Sequence, residues 1–125
     1  MPSVSRTRIA AVDDHGVVED RHEDVDGMTI SFLTFREDVD NAPLLRGLPG
    51  DRCNCPHWGY VFKGKLTFEL GDREEVYEAG DAFYLADGHV PRVEPGTEYL
   101  QFSPAAELRA VSEHILKNFL AMQGS

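Results

Sequence analysis

Between Trp58 and Leu85 the sequence breaks into short alternating runs cut by glycine, and this rhythm limits the fold more than any other feature. Trp58–Phe62 reads as a strand and Lys63-Gly64-Lys65 as a turn. Leu66-Thr67-Phe68-Glu69-Leu70 then alternates apolar with polar side chains. Gly71-Asp72 makes a second turn, and Glu75-Val76-Tyr77 is a short strand ending at Ala79-Gly80-Asp81. Ala82–Leu85 is a further strand, stopped by Asp87-Gly88. Upstream, Met28, Ile30 and Phe32 alternate with Thr29 and Ser31; downstream, Tyr99–Phe102 follows the turn residues Pro95-Gly96. Short strands at near-regular spacing with turn residues between them predict a mainly β sandwich or barrel.

At the C-terminus the period changes. Leu108, Val111, Ile115, Leu116, Phe119 and Leu120 recur at three- and four-residue steps among charged residues, which predicts an amphipathic helix. Ser103 is expected as its N-cap, with Pro104 in the first helical position. The apolar stripe is expected to pack on the chain's own sheet or close the end of a barrel. Residues 1–27 are polar and acid-rich, with short β-like pieces at Arg8–Val12 and Val17–Val18. Asp38 to Gly50 is a connection rich in Pro and Gly, with one helical turn expected around Leu44–Leu45. The expected organisation is an N-terminal acidic segment over 1–27, one β barrel over 28–103 and a helix over 104–125. A chain of 125 residues suits one such domain.

Asp and Glu outnumber Lys and Arg 22 to 12, for a formal charge of −10. Such a field repels phosphate backbones and anionic headgroups, and Arg21, Arg36, Arg52, Arg73 and Arg109 stand far apart. Nucleic acid and membrane surfaces are therefore not expected as partners. No apolar run is long enough to span a bilayer, and the first residues lack the apolar stretch of a secretory signal. Two cysteines only two positions apart cannot staple a fold, so a cytoplasmic, reducing compartment is expected.

Those cysteines carry the chemistry. Cys53-Asn54-Cys55-Pro56-His57 puts two thiols and an imidazole at i, i+2 and i+4, on one face if the segment is extended. This is a metal-ligand set, and Pro56 places it at a sheet edge or a strand start. His89 stands in a turn after the Asp81–Leu85 strand, where sites are commonly built. His15, His22 and His114 lie in polar or helical surroundings and are expected in solvent. Trp58, Tyr60 and Phe62 alternate with His57, Gly59 and Val61 and so belong to the other face, unless a bulge near Pro56 shifts the parity and Tyr60 or Phe83 lines a pocket.

The runs Tyr60-Val61-Phe62-Lys63-Gly64-Lys65-Leu66 and Tyr77-Glu78-Ala79-Gly80-Asp81-Ala82-Phe83-Tyr84-Leu85, with the following Gly88, resemble the two characteristic stretches of the small, RmlC-like cupins. The resemblance covers about residues 50–103. It implies a cupin-type double-stranded β-helix, a jelly-roll barrel, with metal ligands from both stretches converging inside, and it implies a homodimer. The family's usual ligands are a His-x-His pair, a Glu and a further His. Here Cys53-x-Cys55 stands for the pair, His57 for the Glu, and Pro91 occupies the last His position with His89 two residues earlier. A two-residue step keeps the same strand face.

The expected metal ligands are thus Cys53, Cys55, His57 and His89. Soft thiolates with imidazoles select Zn²⁺, with iron or manganese as the other candidates. Four ligands would close the site, and three would leave a position for water. Two functions follow as expectations: an enzyme acting on a small polar molecule, with Tyr60 as an acid or hydrogen-bond donor, or a non-catalytic module that binds a small ligand or a metal.

Overall fold

The computed structural model describes residues 3–123 except 10, 15, 38, 41 and 87, so the expectations for His15 and for Asp38 and Asp87 in their turns lie outside the described residues. The strands are β1 (Ala11–Asp14), β2 (Val18–Val25), β3 (Met28–Phe35), β4 (Val39–Asp40), β5 (His57–Lys63), β6 (Lys65–Glu69), β7 (Glu74–Glu78), β8 (Ala82–Leu85), β9 (Val90–Val93) and β10 (Glu98–Pro104). One helix, α1 (Ala105–Gln123), follows, and short 3₁₀ turns at Ala42–Leu45 and Pro49–Asp51 sit in the connection before β5. No helix among the described residues is long and apolar enough to cross a membrane.

The strands form two antiparallel sheets, a six-stranded one in the order β1-β2-β3-β10-β5-β8 and a four-stranded one in the order β4-β9-β6-β7. Phe35, Val61, Phe83, Leu85 and Tyr99 from the first meet Leu66, Phe68 and Val93 from the second in the main core. Each such fully buried side chain contributes about 1.5–3 kcal/mol. Among the described residues no ladder joins the two sheets, so the arrangement is an open two-sheet sandwich where a closed barrel was expected. The border strands β4 and β8 have only two and four residues, too few to continue pairing around the circumference.

The acidic N-terminal stretch supplies two strands of the larger sheet. β2 pairs with β3 along its whole length, Val18 with Phe35 through Val25 with Met28. Its sequence, Val-Glu-Asp-Arg-His-Glu-Asp-Val, shows no apolar alternation; Val18 at its start packs against the main core, and the polar residues that follow line no core cluster.

Strand β3 enters the sandwich with its polar side inward. Thr29 and Ser31 are buried, as are Gln101 and Ser103 of β10 and His57 of β5, while Ile30, Phe32, Phe102 and Trp58 occupy the outer face. The space between the sheets is therefore apolar at one end and polar at the other.

Helix α1 closes the polar end. Val111, with Leu108 and Ile115, packs on Leu45, Cys53, Cys55 and Val90. His114, expected in solvent, donates from Nε2 to the Arg46 carbonyl at 2.7 Å, and Asn118 Nδ2 donates to the Leu44 and Arg46 carbonyls. The helix is thereby fixed to the loop leading into Cys53. His22, likewise expected in solvent, is half-buried beside Asp13 at 2.9 Å.

Ser103, expected as the helix N-cap, is instead a fully buried strand residue. Its hydroxyl is taken up by His57.

Candidate metal centre

Two backbone contacts bring the donors together. Cys53 and His89 form an isolated antiparallel bridge, with the Cys53 amide donating to the His89 carbonyl at 2.9 Å and the His89 amide to the Cys53 carbonyl at 3.1 Å. The Gly88 amide also donates to the Cys53 carbonyl, and the Arg52 guanidinium to the Gly88 carbonyl. His57 opens β5 opposite Leu85 of β8, on the inner face. The result is a cluster of Cys53 Sγ and one nitrogen each of His57 and His89, all within 4.8 Å of one another. Each of the three residues is buried.

Cys53 Sγ lies 3.5 Å from His57 Nε2. With a Zn–S bond of about 2.3 Å and a Zn–N bond of about 2.0–2.1 Å, two ligands across a tetrahedral angle stand about 3.5 Å apart. The rings of His57 and His89 meet edge to face at 4.9 Å, and the Phe68 ring closes on His89 at 5.6 Å. His89 Nδ1 donates to the Ala86 carbonyl at 2.8 Å, and His57 Nδ1 lies 2.7 Å from Ser103 Oγ. A partner on Nδ1 fixes the tautomer that leaves the Nε2 lone pair for a metal, an arrangement typical of metal-bound histidines.

Burial sets the protonation states. Desolvation pushes the Cys53 thiol up to about 11, against a small opposing effect of the Cys55 backbone. Desolvation, with the His89 charge second, brings the His57 imidazole down to about 3. At neutral pH Cys53 is therefore a thiol and His57 a neutral imidazole, 3.5 Å apart. A divalent cation would displace the Cys53 proton to gain a thiolate beside the neutral His57 imidazole. This soft and borderline donor set fits zinc, and no carboxylate joins the cluster among the described residues.

Of the four ligand candidates, the structure brings Cys53, His57 and His89 together and leaves Cys55 aside. Cys55 is fully buried, but its thiol turns to the Pro56 carbonyl at 3.5 Å and to Ser103. Burial, then Cys53 and Glu107, raise it to about 12. The same-face expectation required an extended segment, and residues 53–56 make only a bridge and a bend before β5 begins.

Tyr60 lies on the outer face of β5, 40% exposed, with its ring 5.5 Å from that of Phe62. The sheet separates it from His57, so it is not placed to donate a proton at the cluster. Phe83 points inward but belongs to the core, stacked on Tyr77 and tilted against Phe68. Ser103 and Phe68 were missed as site residues. The alternation of Tyr99, Gln101 and Ser103 carried a signal for the serine, since it places all three on one face. A surface cleft of about 320 Å³, lined by Arg73, Glu75, Tyr84 and Gly88 among others, reaches Ala86 behind the loop that carries His89.

A scan against protein-family models finds no match, and a search of curated proteins finds none. Solved structures do match. The polyketide cyclase RemF from Streptomyces resistomycificus aligns at a TM-score of 0.57 and 17% identity over 83% of this chain and 79% of its own. KdgF from a Halomonas species aligns at 0.54 and 16% identity over 83% and 94%. An RmlC-like cupin from Shewanella frigidimarina aligns at 0.56 and 16% identity over 81% and 88%. Identities this low carry the backbone and not the chemistry. On these grounds the chain has the fold of the small RmlC-like cupins.

Proposed function

We propose that this protein is a small metal-binding cupin of jelly-roll type that holds one divalent ion, zinc by preference, on Cys53 Sγ, His57 Nε2 and His89 Nε2. The observation that carries the reading is the buried cluster in which Nδ1 of both histidines is already engaged, by Ser103 and by Ala86. Three protein donors leave a fourth tetrahedral position for water or one small polar ligand. A bound ion would supply Lewis acidity at that position. The chain's own residues do the rest: Ser103 and the Ala86 carbonyl orient the rings, Phe68 excludes water from His89, and Cys53 releases a proton to become the thiolate donor. A reducing compartment, the cytoplasm, suits a site whose thiol must stay reduced.

Binding without catalysis is the main reading, because the cluster is buried and Tyr60 is not beside it. An enzyme acting on a small polar molecule is the second, favoured by the three-donor set and by the cleft that reaches Ala86.

Elemental analysis of protein purified without chelator or nickel resin tests the proposal. About one zinc per chain is expected, as a structural or three-donor site holds a single ion. It should be lost in His57→Ala/His89→Ala and kept in Cys55→Ala. Absence of stoichiometric metal from the unaltered protein, or its loss only in Cys55→Ala, overturns the assignment.

A further inference from the structure

We propose that Arg52 is a positioning residue for the metal centre, a role that rests on the metal-binding reading of the cluster. Its guanidinium clamps the backbone that leads into His89 against the backbone that leads into Cys53, and so sets how these two donors face each other.

Gly88 stands directly before the ligand histidine with a φ of +83°, and a Cβ built on it would meet nothing within 4 Å. No neighbour's bulk holds its backbone, and glycine is the residue with the widest choice of conformation. Hydrogen bonds hold it instead. The Gly88 amide donates to the Cys53 carbonyl at 2.8 Å, and the Gly88 carbonyl accepts from Arg52 Nη1 at 3.2 Å. Both backbone polar groups of this residue are therefore taken by residues 52 and 53. The Cys53–His89 pair beside it is an isolated bridge outside the named strands, so no longer ladder fixes its register.

The guanidinium is itself set in place by two further segments. Nη2 lies 3.8 Å from Glu69 Oε1, at the end of β6 in the smaller sheet. The turn after β6 runs close against it: a Cβ on Gly71 would come within 3.0 Å of Nη1 and 3.3 Å of Nη2. The side chain is only 31% exposed. A planar fork of donors can face a carbonyl and a carboxylate at once, which the single ammonium of a lysine does less well. A hydrogen bond from a charged donor is also stronger than a neutral one. Arg52 thus joins three chain segments at the point where Cys53 and His89 meet.

Geometry makes this more than a brace. A metal site holds its donor distances to within about 0.2 Å. A small rotation at Gly88 would move the His89 ring by more than that while leaving both sheets intact.

The test uses the intact chain, with Co²⁺ as a spectroscopic substitute for zinc, and native-state amide exchange of the metal-free protein. Arg52→Met should weaken Co²⁺ binding about 10- to 100-fold and shift the thiolate-to-cobalt charge-transfer band. It should speed exchange at the Cys53, Gly88 and His89 amides and leave β3 and β10 as protected as before. Arg52→Lys keeps the charge beside Glu69 without the fork and should recover part of the affinity. Gly71→Ala should act in the same direction by crowding the guanidinium. Gly80→Ala, at a φ of +96° against +95° for Gly71 but in open space, carries the same backbone strain and should change neither band nor local exchange. If Arg52→Met does not fold, Arg52→Lys and Gly71→Ala decide by the same two readouts. Equal binding and exchange in the variants overturns the proposal. So does weaker binding with an unshifted band and exchange raised across the whole sandwich, which would make Arg52 a stabilising residue only. If the unaltered protein takes up no Co²⁺, the metal reading fails and this role falls with it, while the exchange data still decide whether Arg52 holds the bridge.

Discussion

Ser103 Oγ stands 2.7 Å from His57 Nδ1, across the ladder that pairs β10 with β5. The same hydroxyl serves the Cys55 thiol, so one serine near the end of the last strand positions both the ligand histidine and the thiol left out of the cluster. Removing it should free the His57 ring without emptying the site. Ser103→Ala is expected to weaken metal binding about 10- to 100-fold while the far-ultraviolet circular dichroism stays unchanged. Competition against a chromophoric chelator measures it; equal affinity would reduce Ser103 to a packing residue.

Metal uptake should release one proton. With the Cys53 thiol raised to about 11 and His57 neutral, the thiol proton is the one displaced on binding at neutral pH. The affinity is expected to rise about tenfold per pH unit between pH 7 and 9, the slope of one proton exchanged. Calorimetric titrations in buffers of different ionisation heat count that proton directly. Cys53→Ala should show no such release.

The metal-free protein should lose stability in mild acid through His57. Its pKa falls from 6.5 to about 3 on folding, so between these values the unfolded chain binds a proton that the folded one refuses. Stability contributed by the neutral ring is fully present above about 6.5 and is lost as pH falls towards 3, at about 1.4 kcal/mol per unit. Between pH 6.5 and 5 the loss should reach about 2 kcal/mol. Urea titrations of the metal-free protein at the two pH values, compared with His57→Gln, isolate it; an identical pH dependence in the variant would contradict it.

Gly64→Ala should destabilise the sandwich. Gly64 turns β5 into β6 with a φ of +85°, and an added Cβ would meet the side chain and backbone of Thr97 at 2.4–2.9 Å. Thr97 cannot move aside, because it is fully buried and its Oγ1 both accepts from the Lys65 amide and donates to the Lys65 carbonyl. Overpacking of this kind costs about 1–3 kcal/mol, to which the left-handed backbone adds. The urea midpoint should fall, whereas Gly80→Ala, with open space around it, should lose only the backbone contribution.

Strands β5 to β8 and helix α1 were legible in the sequence within a residue or two, because each announces itself locally: period two between glycines, then a three- and four-residue period. Strands β2 and β9 were not. The first is polar over most of its length, and the second, four residues directly after the buried His89, contains Pro91, so neither has an apolar alternation to read.

The candidate site divides the same way. The chain's own order supplied Cys53, His57 and His89 as the right chemical types, and the resemblance to cupins supplied a reason for them to meet. Which thiol joins them was decided by the fold, because a bend at residues 54–56 turns Cys55 away while the Cys53–His89 bridge pins its neighbour inward. The same holds for β3. Alternation marked Ile30 and Phe32 off from Thr29 and Ser31, but only pairing with β10 fixed which set faces the metal cluster and which forms the aromatic surface. Periodicity is local and says that two faces differ; which face is buried depends on what the rest of the chain places against it.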